Sequence, residues 1–163
     1  MKKSKTLFIT KAALIAALYV VLTGVSAMFH LDRSIIQLRL SEALTILPFF
    51  TPAAIPGLFF GCALSNFLFG ALPLDVLFGS IATLIGAVGT YYLGRVSIYL
   101  APIPPILANT VVVPLVLKYV YCFGGGIPFF ALTVFIGELL SCGVLGLLLL
   151  KAMPKYLKEQ LKK

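Results

Sequence analysis

Six polar residues interrupt sequence that is otherwise apolar enough for a lipid bilayer. Arg39, Glu42, Asn66 and Asp75 fall within residues 37–79, and Asn109 and Glu138 break later apolar runs. A charge or amide in hydrocarbon is costly unless it meets a partner or a water-filled cavity, so each is a candidate binding residue. The chemistry on offer is recognition: carboxylates accept N–H groups, a guanidinium donates, and an amide does both. Structural uses stand beside each reading. Arg39 and Glu42 are three apart and share a helical face, so they could pair with each other. Asp75 could cap a helix that starts near Pro73 and Leu74. Asn66 and Asn109 could bond between helices. Glu138 has no basic residue within two turns, and its structural alternative is a neutral acid bonded to a neighbouring helix.

Catalysis is the least expected use of these groups. The three cysteines, Cys62, Cys122 and Cys142, are far apart with no C-x-x-C pairing and read as buried small hydrophobes, and no metal-ligand cluster is evident. The single histidine, His30, sits in a polar loop with Leu31, Asp32 and Arg33. Gly124, Gly125 and Gly126 are not followed by the G-K-[ST] of a phosphate-binding loop.

The elements that must position the six residues are membrane helices. With 61% hydrophobic and 11% charged residues and a mean hydropathy of +1.10, the chain has too little polar surface for a soluble domain. The expected class is an all-α integral membrane protein, one transmembrane domain over residues 1–163. Six helices are expected, over about 6–29, 34–50, 53 or 57 to 70, 74–93, 106–121 and 129–150. The second is broken by Arg39, Glu42 and Pro48 and is expected to be short or tilted. The apolar run of the first is too long for a secretory signal.

The net charge of +8 gathers at the two ends and reads as cytoplasmic flanks facing anionic lipid, with no nucleic-acid partner. Six crossings put both termini inside. Of the 13 Lys and Arg, ten then lie inside and Arg33, Arg39 and Lys118 outside, the bias expected for an N-in, C-in chain. Counting about 1.5 Å per residue, Glu42, Asn66 and Asp75 fall near the outer face, with Glu138 about 15 Å deep and Asn109 in the middle or inner half. An outward-open pocket follows, with Glu138 and Asn109 as its floor. Small residues four apart mark close helix contacts: Ala12 and Ala16, or Ala13 and Ala17, in the first helix, and Gly57 and Gly61 in the third. The alanines suit packing within the chain or contact with a partner; the glycines suit internal packing.

The runs IQLRLSEALTILPFFTPAAIPGLFFGCALSN (36–66) and LDVLFGSIATLIGA (74–87) resemble the QueT family of queuosine-precursor transporters. Members are substrate-binding S-components of energy-coupling factor (ECF) importers. The resemblance implies a six-helix bundle in the bacterial cell membrane that captures its solute from outside. It implies no enzyme activity and no cofactor of its own; ATP is used by two partner ATPases, and a transmembrane coupling subunit docks on the A-x-x-x-A pattern of the first helix. The implied cargo is a 7-deazaguanine, such as the 7-cyano or 7-aminomethyl form, or queuine. A carboxylate, Glu138 or Glu42, can accept the paired N–H and exocyclic amine of a guanine-like edge. Asn66, Asn109 or Arg39 can donate to the ring carbonyl and nitrogens, Asp75 can meet an aminomethyl cation, and aromatic rings can stack on the base. The alternatives are an S-component for another flat heterocycle or vitamin, and a small ion-coupled homodimeric carrier.

Overall fold

The computed structural model describes residues 2–30 and 37–162, with side chains over 5–30 and 37–161. The expected placements of Asp32 and Arg33 in an outer loop, the start of the second helix at Ser34, and the side chains of Lys2, Lys3, Lys162 and Lys163 lie outside these residues. Every regular element among the described residues is helical. In order they are α1 (Lys2–Met28), a 3-10 helix (Leu40–Phe49), α2 (Ala54–Leu68), α3 (Pro73–Leu93), a short 3-10 turn (Ile98–Leu100), α4 (Ile103–Tyr119), α5 (Ile127–Glu138), a π-helical stretch (Leu139–Leu145), α6 (Gly146–Ala152) and α7 (Lys155–Lys162).

Prolines punctuate this order. Each of α3, α4 and α5 has a proline at its first or second position, where the missing N–H has no intrahelical partner to lose. Met153, just before Pro154, turns extended and ends α6 before the basic tail resumes as α7.

Four helices are long and apolar enough to cross a membrane: Lys5–Met28, Pro73–Leu93, Ile98–Tyr119 and Ile127–Ala152. The last runs through α5, the π-helical stretch and α6 without a break. Six such helices were expected, and the two that fall short are Leu40–Phe49 and Ala54–Leu68. Fifteen residues of α-helix reach only about 22 Å against a hydrocarbon core of about 30 Å.

The shortest apolar helix lies at the centre. Residues 41–48 are all buried, and the 3-10 helix packs on α1, α2, α3, α6 and the π-helical stretch. Leu44, Ile46 and Leu47 share a core with Ile15 and Tyr19 of α1 and Leu58 and Cys62 of α2. Gly57 and Gly61 set the distance between α1 and α2. A Cβ at Gly57 would stand 2.7 Å from the Ala12 carbonyl oxygen, and one at Gly61 2.8 Å from Tyr19 Cβ. The G-x-x-x-G pattern therefore serves packing within the chain.

Lys11 Nζ donates to the carbonyls of Gln160 and Leu161 at 2.8 and 3.2 Å, satisfying acceptors that a helix end leaves open. The first turns of α1 and the end of α7 thus lie together at one end of the bundle. The ends of α2 and α4 and the starts of α3 and α5 form the opposite end.

Candidate functional site

The site begins with how the chain enters the 3-10 helix. Residues 37–39 belong to no regular element, with Arg39 extended, and they run against α5 at Gly137, where a Cβ would stand 2.2 Å from the Gln37 carbonyl oxygen. Only a glycine admits the backbone there. Two hydroxyls then fix the segment's direction: Arg39 N–H donates to Ser141 Oγ at 3.2 Å, and Leu40 N–H donates to Ser26 Oγ at 2.9 Å. Glu42 is carried down beside Glu138 as a result.

This corrects the expected depth of Glu42. It is not near the outer face above Glu138 but beside it: oxygens of the two carboxylates and Cys142 Sγ lie within 4.8 Å of one another. The expectation assumed an α-helix descending from the surface. Helical turns instead begin only at Leu40, directly after the extended Arg39.

The two carboxylates are 1% and 7% exposed, and each is oriented by one donor. Tyr19 O–H donates to Glu42 Oε1. The Cys142 thiol donates to Glu138 Oε2 at 3.1 Å. Glu42 Oε2 is buried with no hydrogen-bond partner among the described residues. The wider turn of the π-helical stretch follows Glu138 directly and buries both Ser141 and Cys142 against the 3-10 helix. Two carboxylates and a thiol also make a donor set that a metal could use, a grouping the sequence analysis did not anticipate. The thiol, however, holds its proton toward Glu138, whereas a metal would take the thiolate.

Glu42, Glu138 and Asn109, the last from α4 and 5% exposed, line a small recess of about 10 Å³ with Thr83 and Gly79 of α3. A much larger chamber of about 620 Å³ adjoins it. Asn66, Thr23 and the aromatic rings of Phe69, Tyr121, Phe123, Phe129 and Phe130 line this chamber. Gln37, Arg39, Asp75 and Val113 line both spaces and form the waist between them. Gly70, Ala71 and Gly124, at the ends of helices remote from the Lys11 contact, put the wide chamber at the end of the bundle away from the chain termini.

Asp75 is not a helix cap. Leu72 occupies that position without a side-chain cap bond, and Asp75 Oδ2 instead accepts the Tyr121 hydroxyl at 2.8 Å. The same hydroxyl accepts Leu72 N–H at 3.3 Å. Burial, helped by Asp75, raises the Tyr121 phenol above its ordinary pKa, so it remains a donor. Asn66 bonds within its own helix, from Nδ2 to Cys62 Sγ at 3.6 Å, rather than between helices. Arg39 forms no salt bridge with Glu42 among the described residues.

All six polar residues of the sequence analysis therefore line one of two connected spaces: Asn66 the chamber, Glu42, Glu138 and Asn109 the recess, and Arg39 and Asp75 both. Tyr19, Tyr121 and Cys142 were not singled out, because their roles depend on contacts between distant segments. Cys62 and Cys142 are buried as expected, whereas Cys122 is exposed. Of the four alanines of α1, Ala12 and Ala16 turn half-buried toward α2, and Ala13 and Ala17 are exposed.

A family model described as QueT transporter matches residues 9–155, which include all of these residues. Among curated proteins, the queuosine precursor transporter QueT of Lactococcus lactis subsp. cremoris (strain MG1363) is 41% identical over 85 residues, covering 52% of this chain and 50% of that protein. The chain thus spans about half the length of the curated relative it matches. No solved structure matches it.

Proposed function

The chain belongs to the QueT transporter family, and from that premise we propose that it is the substrate-binding S-component of an ECF importer, capturing a queuosine precursor for ATP-driven uptake. The observation that carries the reading is a polar, aromatic-walled cavity of about 620 Å³ with a buried carboxylate recess, inside a membrane protein. Such a cavity suits a flat, hydrogen-bonding solute. The name of the Lactococcus relative supplies the class, a queuosine precursor; its chemistry is that of a 7-deazaguanine. Rings such as Phe129, Phe130 and Tyr121 offer faces for stacking, while Glu42, Glu138, Asp75, Asn66, Asn109 and Arg39 offer acceptors and donors.

In this reading the chamber opens to the outside of a bacterial plasma membrane and both termini are cytoplasmic, with the two short helices completing six passes. Lipid covers the outward apolar faces, among them Leu14, Leu18 and Val21 of α1. Ala13 and Ala17 are the register left open on α1, and they dock on the coupling subunit. Two ATPases bound to that subunit use ATP; this chain performs no chemistry and holds no cofactor.

Equilibrium binding to the purified chain tests the reading. Deazaguanines should bind in preference to riboflavin, folate and thiamine, and Glu138→Gln should weaken that binding. An unchanged affinity removes Glu138 from the site; a panel led by another vitamin refutes the cargo.

A further inference from the structure

We infer that the recess beside Glu42, Glu138 and Asn109 is a subsite for one primary ammonium group, so that the cargo enters amine first and leaves its ring in the wide chamber. The inference rests on the deazaguanine reading above and adds the orientation and the charge of the ligand.

Size comes first. A recess of about 10 Å³ admits roughly one water-sized group and cannot take an aromatic ring. The adjoining chamber of about 620 Å³ is wide enough for a ring. An –NH₃⁺ group is of the right size and presents three donors on a flexible stem.

Acceptors come second. Glu42 lines this recess with a side chain 1% exposed, and its buried Oε2 has no hydrogen-bond partner among the described residues. Its carboxylate cannot turn away freely, because Tyr19 holds Oε1. Glu138 is held in the same manner by Cys142, and the Asn109 amide stands beside both carboxylates. A nitrile would bring a lone pair against this set, and a methyl would leave Oε2 unsatisfied. A secondary amine would have no room for its second substituent.

Charge is the third argument. Among the described residues lining the two spaces, Arg39 is the single cation against Glu42, Asp75 and Glu138. An ammonium ligand supplies a second cation, beside which both recess carboxylates can hold their charge. With the amine in the recess, the N–H edge of the base falls to Asp75 and Asn66 in the chamber, not to Glu42 or Glu138.

The test is a binding panel on the purified full chain with 7-aminomethyl-, N-alkylaminomethyl-, 7-methyl- and 7-cyano-7-deazaguanine. The 7-aminomethyl compound should bind about tenfold to a hundredfold tighter than the 7-methyl one, the range of a charge-assisted hydrogen bond. N-alkylation should remove the advantage, and Glu42→Gln and Glu138→Gln should each shrink the ratio. Equal binding of the 7-aminomethyl and 7-methyl compounds overturns the inference and leaves the deazaguanine reading standing. So does a ratio lost only in Asp75→Asn. Binding of no member of the panel refutes the deazaguanine reading itself. Should either glutamine variant fail to fold, the wild-type panel alone decides.

Discussion

Glu42 and Glu138 meet side by side at the foot of the cavity, one from the 3-10 helix Leu40–Phe49 and one from the last turn of α5, with Cys142 Sγ inside the same 4.8 Å cluster. Neither helix alone creates the recess. It exists because residues 37–39 slide past Gly137 and deliver the second carboxylate to the first.

Gly137→Ala should therefore act on Glu42 at a distance. The new Cβ would stand 2.2 Å from the Gln37 carbonyl oxygen, so the segment must move. The expected cost is about 1–3 kcal/mol of stability, the usual range for overpacking. A lowered melting temperature in detergent, with weakened ligand binding, is the outcome to look for; an unchanged melt would mean the segment is not fixed there.

Tyr19→Phe removes the hydroxyl that orients Glu42 and leaves a second carboxylate oxygen without a partner. A buried group stripped of its partner costs about 1–3 kcal/mol. Thermal denaturation with and without ligand should show the loss, and ligand should recover less of it than in the wild type.

Tyr121→Phe makes the milder change. It takes away the donor to Asp75 Oδ2 and the acceptor for Leu72 N–H, at the half-exposed rim of the chamber. Calorimetric binding should record an affinity loss of about threefold to tenfold with little change in melting temperature, the scale of one ordinary hydrogen bond.

The two alanine registers of α1 should separate folding from coupling. Ala16→Leu drives bulk into α2 beside Gly61 and should lower the melting temperature. Ala17→Leu adds bulk to an exposed position, so the isolated chain should keep its ligand affinity while uptake by the assembled importer falls. Loss of ligand binding in Ala17→Leu would argue against a docking role.

On the proposed importer reading, vesicles containing this chain alone should accumulate no deazaguanine, because partner ATPases would supply the driving force. Uptake driven by an ion gradient in such vesicles would favour a self-sufficient carrier.

Much of this arrangement was legible in the chain, and the exceptions have physical reasons. Uninterrupted apolar runs located α1, α3, α4 and the Ile127–Ala152 span to within a few residues, because lipid exposure leaves little freedom in composition. The six costly polar residues all line the two spaces, whereas Thr23, Gln37, Thr83 and Thr133, which also line them, carry no such signal. The depth of Glu42 was not legible: an extended entry followed by a 3-10 helix carries no pattern that distinguishes it from a short α-helix. Cys142 looked like core filler because its bond to Glu138 is a local detail of a π-helical stretch that composition does not reveal. The paired alanines gave two registers of equal quality, and only the packing of Gly57 and Gly61 against Ala12 and Ala16 chose between them.

The bonds from Lys11 to the carbonyls of Gln160 and Leu161 tie the first helix to the last. Lys11 precedes the exposed Ala13 by two positions, so a partner docked there in the proposed importer would also meet α7. A turn of α1 would swing α7 with it. The Lys11 turn of α1 and the end of α7 form one handle, at the end of the bundle away from the wide chamber.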